Sequence, residues 1–196
     1  MKAVLFVARH APTPGAASIC IGQWDGPCSR DPGAIAEALR GSWSGTREVG
    51  RVWSSPLRRC SEVAKALAAA WGVPHLVDRR LLEISYGLWE GRPWKEIERE
   101  DPRVLQEWMR DWERRGPPGG ESALAVEARV RSWWESLEDD PDEVLIAHAG
   151  VIRALKVLIG ECRWNEAMQT PIRHLKWMRF EKPTRGGCPR TRTPPL

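Results

Sequence analysis

The sequence predicts a single α/β domain built on a mostly parallel sheet, and three observations carry that reading. Short apolar runs of strand length alternate with amphipathic helical stretches along most of the 196 residues. Two of the strand-like runs end in histidine, at Arg9-His10 and at Ala147-His148. The 42% hydrophobic and 29% charged fractions belong to an ordinary globular chain whose length fits one domain. Such a sheet is covered by helices on both faces, giving three layers, α/β/α.

The elements follow in order. Lys2 to Ala8 is continuously apolar after one lysine and reads as a fully buried strand. Residues 11–30 lack periodicity and are rich in Gly, Pro and Ser, so they form a long loop, and loops of that length in compact domains usually carry function. Asp31-Pro32 can cap and start a helix that runs to about Arg40. Glu48 to Ser54 is a second strand. Ser55 as N-cap and Pro56 as first helical residue would open a helix to Trp71, with Val63, Leu67 and Ala70 inward. Val73 to Val77 is a third strand, Leu81 to Gly91 irregular, and Pro93 to Arg115 helical with a restart at Pro102. Gly116-Pro117-Pro118-Gly119-Gly120 is a hard break. Glu121 to Leu137 is a helix, Glu143 to Ala147 a strand, Gly150 to Ile159 a helix and His174 to Phe180 a final strand.

Composition excludes several function classes. The longest apolar run is six residues, against about 20 for a bilayer span. The run at the N-terminus is shorter than a secretory core and is followed at once by Arg9, so a cytoplasmic protein is expected. The net charge of +4 sits in a Pro/Gly/Thr-rich tail, 182–196, which holds four bases and no acid; the preceding residues are formally neutral. A pI near 9.0 therefore reports the tail and not a nucleic-acid-binding face. The expected organisation is one domain over 1–181 followed by a disordered tail over 182–196. Five cysteines without a C-x-x-C pair argue against a disulfide framework and against structural zinc.

The chemistry gathers at strand ends. In open parallel sheets, sites lie beyond the carboxyl ends of the strands, where strand order reverses. Arg58 and Arg59 fall in a first helical turn, where the helix dipole disfavours cations by about 0.3–1 kcal/mol. One of them can point away; the other is explained if an anion binds there. Arg9, one of Arg58 and Arg59, and the imidazoles of His10 and His148 together describe a phosphate pocket. The four histidines share no metal-ligand spacing.

Five blocks, in order, resemble the histidine phosphatase (phosphoglycerate-mutase-like) superfamily. They are Arg9-His10-Ala11, Ile21-Gly22-Gln23-Trp24-Asp25, Ser55-Pro56-Leu57-Arg58-Arg59, Leu82-Glu83-Ile84-Ser85-Tyr86-Gly87 with Glu90-Gly91, and Ala147-His148-Ala149-Gly150. The resemblance covers about residues 1–180 and implies a phosphoglycerate-mutase-like fold. It makes His10 the nucleophile that becomes phosphohistidine, Arg9, Arg59 and His148 the grip on the phosphoryl group, and Glu83 the general acid, with Glu90 as the alternative acid. Thr13, Ile21, Gly22, Gln23, Tyr86 and Ala149 are the substrate-binding candidates. No metal and no cofactor are implied. The expected partner is a small phosphorylated metabolite, with neither nucleic acid nor membrane, and a second copy of the chain is a candidate partner. Pro14 to Ser18 lacks the Trp-Asn that follows the first motif in mutases, and Ala11 stands where the family usually has Gly. The chain is most similar to the small phosphatases of the α-ribazole-phosphate type, which act in cobalamin biosynthesis. The expected activity is thus a metal-independent phosphomonoesterase, with mutase-type transfer and a non-catalytic phospho-ligand scaffold as alternatives.

Overall fold

The computed structural model describes residues 4–28, 30–45, 48–138 and 141–181. The tail expected over 182–196 lies outside the described residues, as do the first residues of the expected Lys2–Ala8 strand.

Among the described residues the sheet has five strands, in the order β3-β2-β4-β1-β5. They are β1 (Val4–Arg9), β2 (Val49–Ser54), β3 (His75–Val77), β4 (Asp142–Ala147) and β5 (Trp177–Glu181). The pairs β1/β4, β2/β4 and β2/β3 are parallel, and β5 alone runs antiparallel, against β1. The helices are α1 (Pro32–Gly41), α2 (Arg58–Trp71), α3 (Trp94–Glu100), α4 (Pro102–Asp111), α5 (Ala123–Ser136), α6 (Ala149–Leu158) and α7 (Trp164–Gln169).

Period-two alternation of β1 sorts its side chains between the two faces. Val4, Phe6 and Ala8 join the core under α1 and α2, while Leu5 and Val7 join the core under α5 and α6. The helix after β1 and the helix after β4 therefore cover opposite faces, which makes the β1/β4 boundary the switch point where a cleft opens. The register aligns Arg9 with Ala147 and Ser54 with Ile146, so the carboxyl ends of β1, β2 and β4 share one edge. No helix among the described residues is long and apolar enough to cross a membrane.

The Asp31 start of α1 matches sequence expectation, its side chain accepting from Ala34 N at 2.7 Å; α5 starts two residues later than expected, at Ala123, because Ser122 caps it by accepting from Ala125 N at 3.1 Å. The start of α2 does not. Pro56 lies outside the helix, Leu57 is its N-cap, and the Ser55 hydroxyl is engaged by His148 at 2.7 Å. The helix is capped from a distance instead, by Asp25, whose Oδ1 accepts from Arg58 N at 2.8 Å. The last strand also starts later than expected, because Leu175 takes φ +52°, a left-handed conformation that turns the chain before Trp177. Helix α7 was not foreseen; only six residues long, it is too short to show a period.

A smaller aromatic core lies outside the main layers. Cys20, Trp89 and Ile97 are buried there, with Tyr86, Trp94, Leu105 and Trp108 packed around them. The 11–25 loop is tied to the start of α3 through Cys20 N to Arg92 O at 2.9 Å and Trp94 N to Ser18 O at 3.0 Å.

Candidate active site

A cavity of about 240 Å³ opens at the carboxyl ends of the strands. Arg9, His10, Thr13, Gly22, Arg59, Glu83 and His174 form its polar wall, and the substrate candidates Ile21, Tyr86 and Ala149 also line it.

His10 follows the last residue of β1 and is only 5% exposed. Its Nδ1 lies 2.6 Å from the carbonyl oxygen of Ala11. A carbonyl only accepts, so Nδ1 carries the hydrogen and Nε2 keeps its lone pair. Burial, and next the charge of Arg59, push the His10 pKa down to about 3. The imidazole is thus neutral and correctly protonated for attack through Nε2. Ala11 is compatible with this turn, because Leu175 is the only described non-glycine residue with positive φ.

The choice between Arg58 and Arg59 is made by the helix. Arg58 points outward and pairs with Glu62 at 2.7 Å. Arg59 is 2% exposed and donates to the carbonyls of Trp24 and Gly22, both at 2.8 Å. The Ile21–Asp25 block therefore builds the site with its backbone: two carbonyls hold Arg59 while Asp25 caps the helix that carries it. Gly22 is required there, since at φ +49° a Cβ would stand 2.5 Å from Glu90 Oε1. Arg9 donates one N–H to Ile172 O at 2.8 Å. The Nε atoms of Arg9 and Arg59 and the hydroxyl of Thr13 are buried without a hydrogen-bond partner among the described residues. Unpaired donors of this kind around one cavity mark a site built for a polar, anionic guest.

Glu83 reaches the cavity from the irregular stretch after β3. Its Oε1 accepts from Ile84 N at 3.0 Å and Gly150 N at 2.9 Å, so one oxygen caps the start of α6. Gly150 permits that approach, because a Cβ there would lie 2.3 Å from Oε1. The second oxygen has no hydrogen bond among the described residues. Arg129 fixes the backbone behind it with five hydrogen bonds. Three go to the carbonyls of Arg80, Leu82 and Glu83, at 2.7, 2.7 and 3.1 Å, and two to the Glu121 carboxylate, at 2.8 and 3.0 Å. Arg80 is occupied by Asp78 at 2.6 Å and is not a partner of Glu83.

Three candidates stand elsewhere than expected. Glu90 is off the cavity: Oε1 accepts from Gln23 N, Tyr86 N and the Ser85 hydroxyl, at 3.0, 2.9 and 3.2 Å, and so clamps two loops together. Gln23 is also off the cavity wall, because its amide donates to Glu83 O at 2.9 Å. His148 is fully buried behind His10, ring centroids 5.2 Å apart, with Nε2 committed to Ser55 at 2.7 Å. It backs the nucleophile in this arrangement and does not itself line the cavity.

Sequence reasoning missed His174 and Arg153. The turn at Leu175 leaves His174 beside His10, with its Nδ1 2.5 Å from His10 O and ring centroids 5.5 Å apart. Arg153 faces the cavity from α6, one turn after Gly150. The i, i+3 spacing of Gly150 and Arg153 could have signalled a shared face. His174 carried no local signal. Trp94, Trp108, Trp112 and Trp164 add an aromatic wall from α3, α4 and α7.

Neutral buried imidazoles also couple stability to pH. Burial holds the pKa of His10 near 3 and that of His148 well below its usual value, while an unfolded histidine titrates near 6.5. The unfolded chain takes up these protons first on acidification. This contribution to stability is therefore complete above pH 6.5 and is lost as pH falls towards the folded values. Urea midpoints are expected to fall between pH 7 and pH 5, and to fall less in His10→Gln. Equal falls in the two proteins would contradict the assignment.

Comparison with known proteins fits this geometry. The family model described as "Histidine phosphatase superfamily (branch 1)" matches residues 5–188. Glucosyl-3-phosphoglycerate phosphatase of Mycobacterium tuberculosis is 34% identical over 139 residues, covering 64% of this chain. Phosphoserine phosphatase 1 of Hydrogenobacter thermophilus is 27% identical over 107 residues, covering 53% of this chain and 51% of that protein. The chain spans about 59% of the length of the mycobacterial relative. Among solved structures, a mycobacterial glucosyl-3-phosphoglycerate phosphatase superposes with TM-score 0.76 at 29% identity, covering 91% of this chain and 90% of the other. The α-ribazole phosphatase of Shigella flexneri shares the fold, with TM-score 0.77 at 21% identity, covering 90% and 89%.

Proposed function

The chain belongs to the histidine phosphatase superfamily, branch 1, and from that premise we propose that it is a metal-independent phosphomonoesterase working through a phosphohistidine on His10. The observation that carries the reading is a neutral, buried His10 set between two arginines with unpartnered Nε atoms, in one cavity with Glu83.

The ester phosphate binds between Arg9 and Arg59, whose charges offset those spread over the phosphoryl oxygens in a loose transition state. His10 Nε2 attacks phosphorus, the bond from phosphorus to the ester oxygen breaks, and the free carboxyl oxygen of Glu83 delivers a proton to that oxygen. Positive charge then develops on the His10 ring, where the Nδ1–H bond to Ala11 O strengthens. In the second half, water attacks the phosphohistidine and Glu83 takes the water's proton. Phosphate leaves and His10 is again neutral. His148 and His174 hold the nucleophile from two sides by edge-on packing.

A mutase needs the same first half but returns the phosphoryl group to a second hydroxyl. The missing Trp-Asn after the first motif supports hydrolysis instead. The substrate we propose is a small phosphorylated metabolite. Resemblance and similarity offer two kinds: α-ribazole 5′-phosphate, which would place the enzyme in cobalamin biosynthesis, and an ester of the glucosyl-3-phosphoglycerate type.

The test is release of inorganic phosphate from p-nitrophenyl phosphate in the presence of EDTA, alongside interconversion of phosphoglycerates. Sustained phosphate release with little interconversion is expected. Interconversion without net phosphate would establish the mutase instead. No turnover of any ester, with phosphate still binding, would leave a scaffold.

A further inference from the structure

We infer that the cavity has a second anion subsite, formed by Arg153, and that it selects phosphomonoesters whose alcohol carries a carboxylate. The inference rests on the phosphatase reading above and concerns the other end of the same substrate.

Arg153 is held in place but not neutralised. Its Nε donates to Ala167 O of α7 at 3.0 Å, and no carboxylate pairs with it among the described residues. The two terminal nitrogens have no protein partner there, so a forked pair of donors remains for a ligand. The bond to α7 fixes the guanidinium in advance, which removes part of the entropy that a flexible arginine would lose on binding.

Charge makes the guest an anion. The cavity wall carries three guanidiniums, Arg9, Arg59 and Arg153, against one acid, Glu83. When Glu83 holds the proton it is to donate, the wall bears three positive charges. A phosphomonoester dianion offsets two of them, and a carboxylate on the alcohol offsets the third. The aromatic wall alone could suit an organic cation, but a cation placed beside three arginines would be repelled. An alcohol bearing an ammonium group is disfavoured for the same reason.

Size points the same way. About 240 Å³ lies below the roughly 300–1,000 Å³ of ordinary small-molecule sites. Inside it there is room for a phosphoryl group and a short acid, with Trp112 and Trp164, which meet edge-on at 6.2 Å, as part of the wall.

The experiment compares kcat/KM on 3-phosphoglycerate and glycerol 3-phosphate, which differ by a carboxylate in place of a hydroxymethyl group, for wild type, Arg153→Gln and Arg153→Lys. Wild type is expected to prefer 3-phosphoglycerate. Arg153→Gln should lose about 10- to 100-fold more on 3-phosphoglycerate than on glycerol 3-phosphate, the size of a charged hydrogen-bond pair. Arg153→Lys, which keeps the charge but not the fork, should lose less of the preference. A wild type that does not discriminate, a preference that survives Arg153→Gln, or equal losses on both esters in both variants would overturn the subsite. If p-nitrophenyl phosphate is not turned over either, the phosphatase reading itself fails. If only the discrimination is missing, that reading stands without the subsite.

Discussion

Replacing His10 by alanine is expected to abolish turnover, by roughly 10⁵-fold or more, while the protein remains folded. The variant removes the imidazole at the end of β1, whose Nδ1–H bond to the Ala11 carbonyl at 2.6 Å leaves Nε2 free. The fold should survive because His10 is not a source of net attraction: it lies beside Arg9 and Arg59, and its burial already disfavours its charged form. The cavity left by the ring opens on an existing cleft, so surrounding side chains and water can fill it. Two measurements check this. Far-ultraviolet dichroism and the thermal midpoint should stay near wild type. Rapid quenching with a labelled substrate should trap an acid-labile, alkali-stable phosphoenzyme on wild type and none on the variant. Label found on a serine or a cysteine would overturn the assignment; Ser55 and Cys60, both buried next to His148, are the residues to examine first.

Glu83→Gln is expected to slow alkyl phosphates by roughly 100-fold or more while affecting activated aryl phosphates far less. An alkoxide leaving group needs a proton as the bond to phosphorus breaks, and a nitrophenolate does not. The glutamine keeps the shape of the side chain, and its carbonyl oxygen can still accept from Ile84 N and from Gly150 N, the bond that caps α6. What it cannot do is donate and recover a proton. A purely structural role for Glu83 would lower both substrate classes together, so the ratio of the two rates is the informative quantity. Glu90→Gln supplies the contrast. Glu90 lies off the cavity, where it accepts from the backbone N–H groups of Gln23 and Tyr86, so any loss there should be independent of the leaving group. The opposite pattern, dependence in Glu90→Gln and none in Glu83→Gln, would transfer the acid role to Glu90.

Much of the fold was legible because buried strands and capped helices leave local signals. The apolar run of β1, the Asp31-Pro32 start of α1 and the break before Ser122 each reflect a constraint within a few residues, and each stands where expected. The start of α2 was misread because its cap comes from Asp25, 33 residues away, and no local pattern records such a bond. The same holds for His174. Its position depends on one left-handed residue, Leu175, and on pairing beside Arg9. Neither is visible as periodicity.

By itself the sequence determined the layered α/β class, the two strand ends that carry His10 and His148, and the chemical kinds present: two imidazoles, arginines and a carboxylate. Strand ends and residue types are fixed by near neighbours in the chain, because backbone hydrogen bonding and side-chain alternation have short periods. Only the tertiary structure decided which arginine of Arg58 and Arg59 turns inward, that Glu83 rather than Glu90 reaches the cavity, that His148 stands behind His10 and not on the cavity wall, and that Arg153 and His174 complete the surroundings. Those choices are made by hydrogen bonds such as Arg59 to Gly22 O and Glu83 to Gly150 N, which join residues 37 and 67 positions apart. Their geometry exists only once the β1/β4 switch point has brought the loops together.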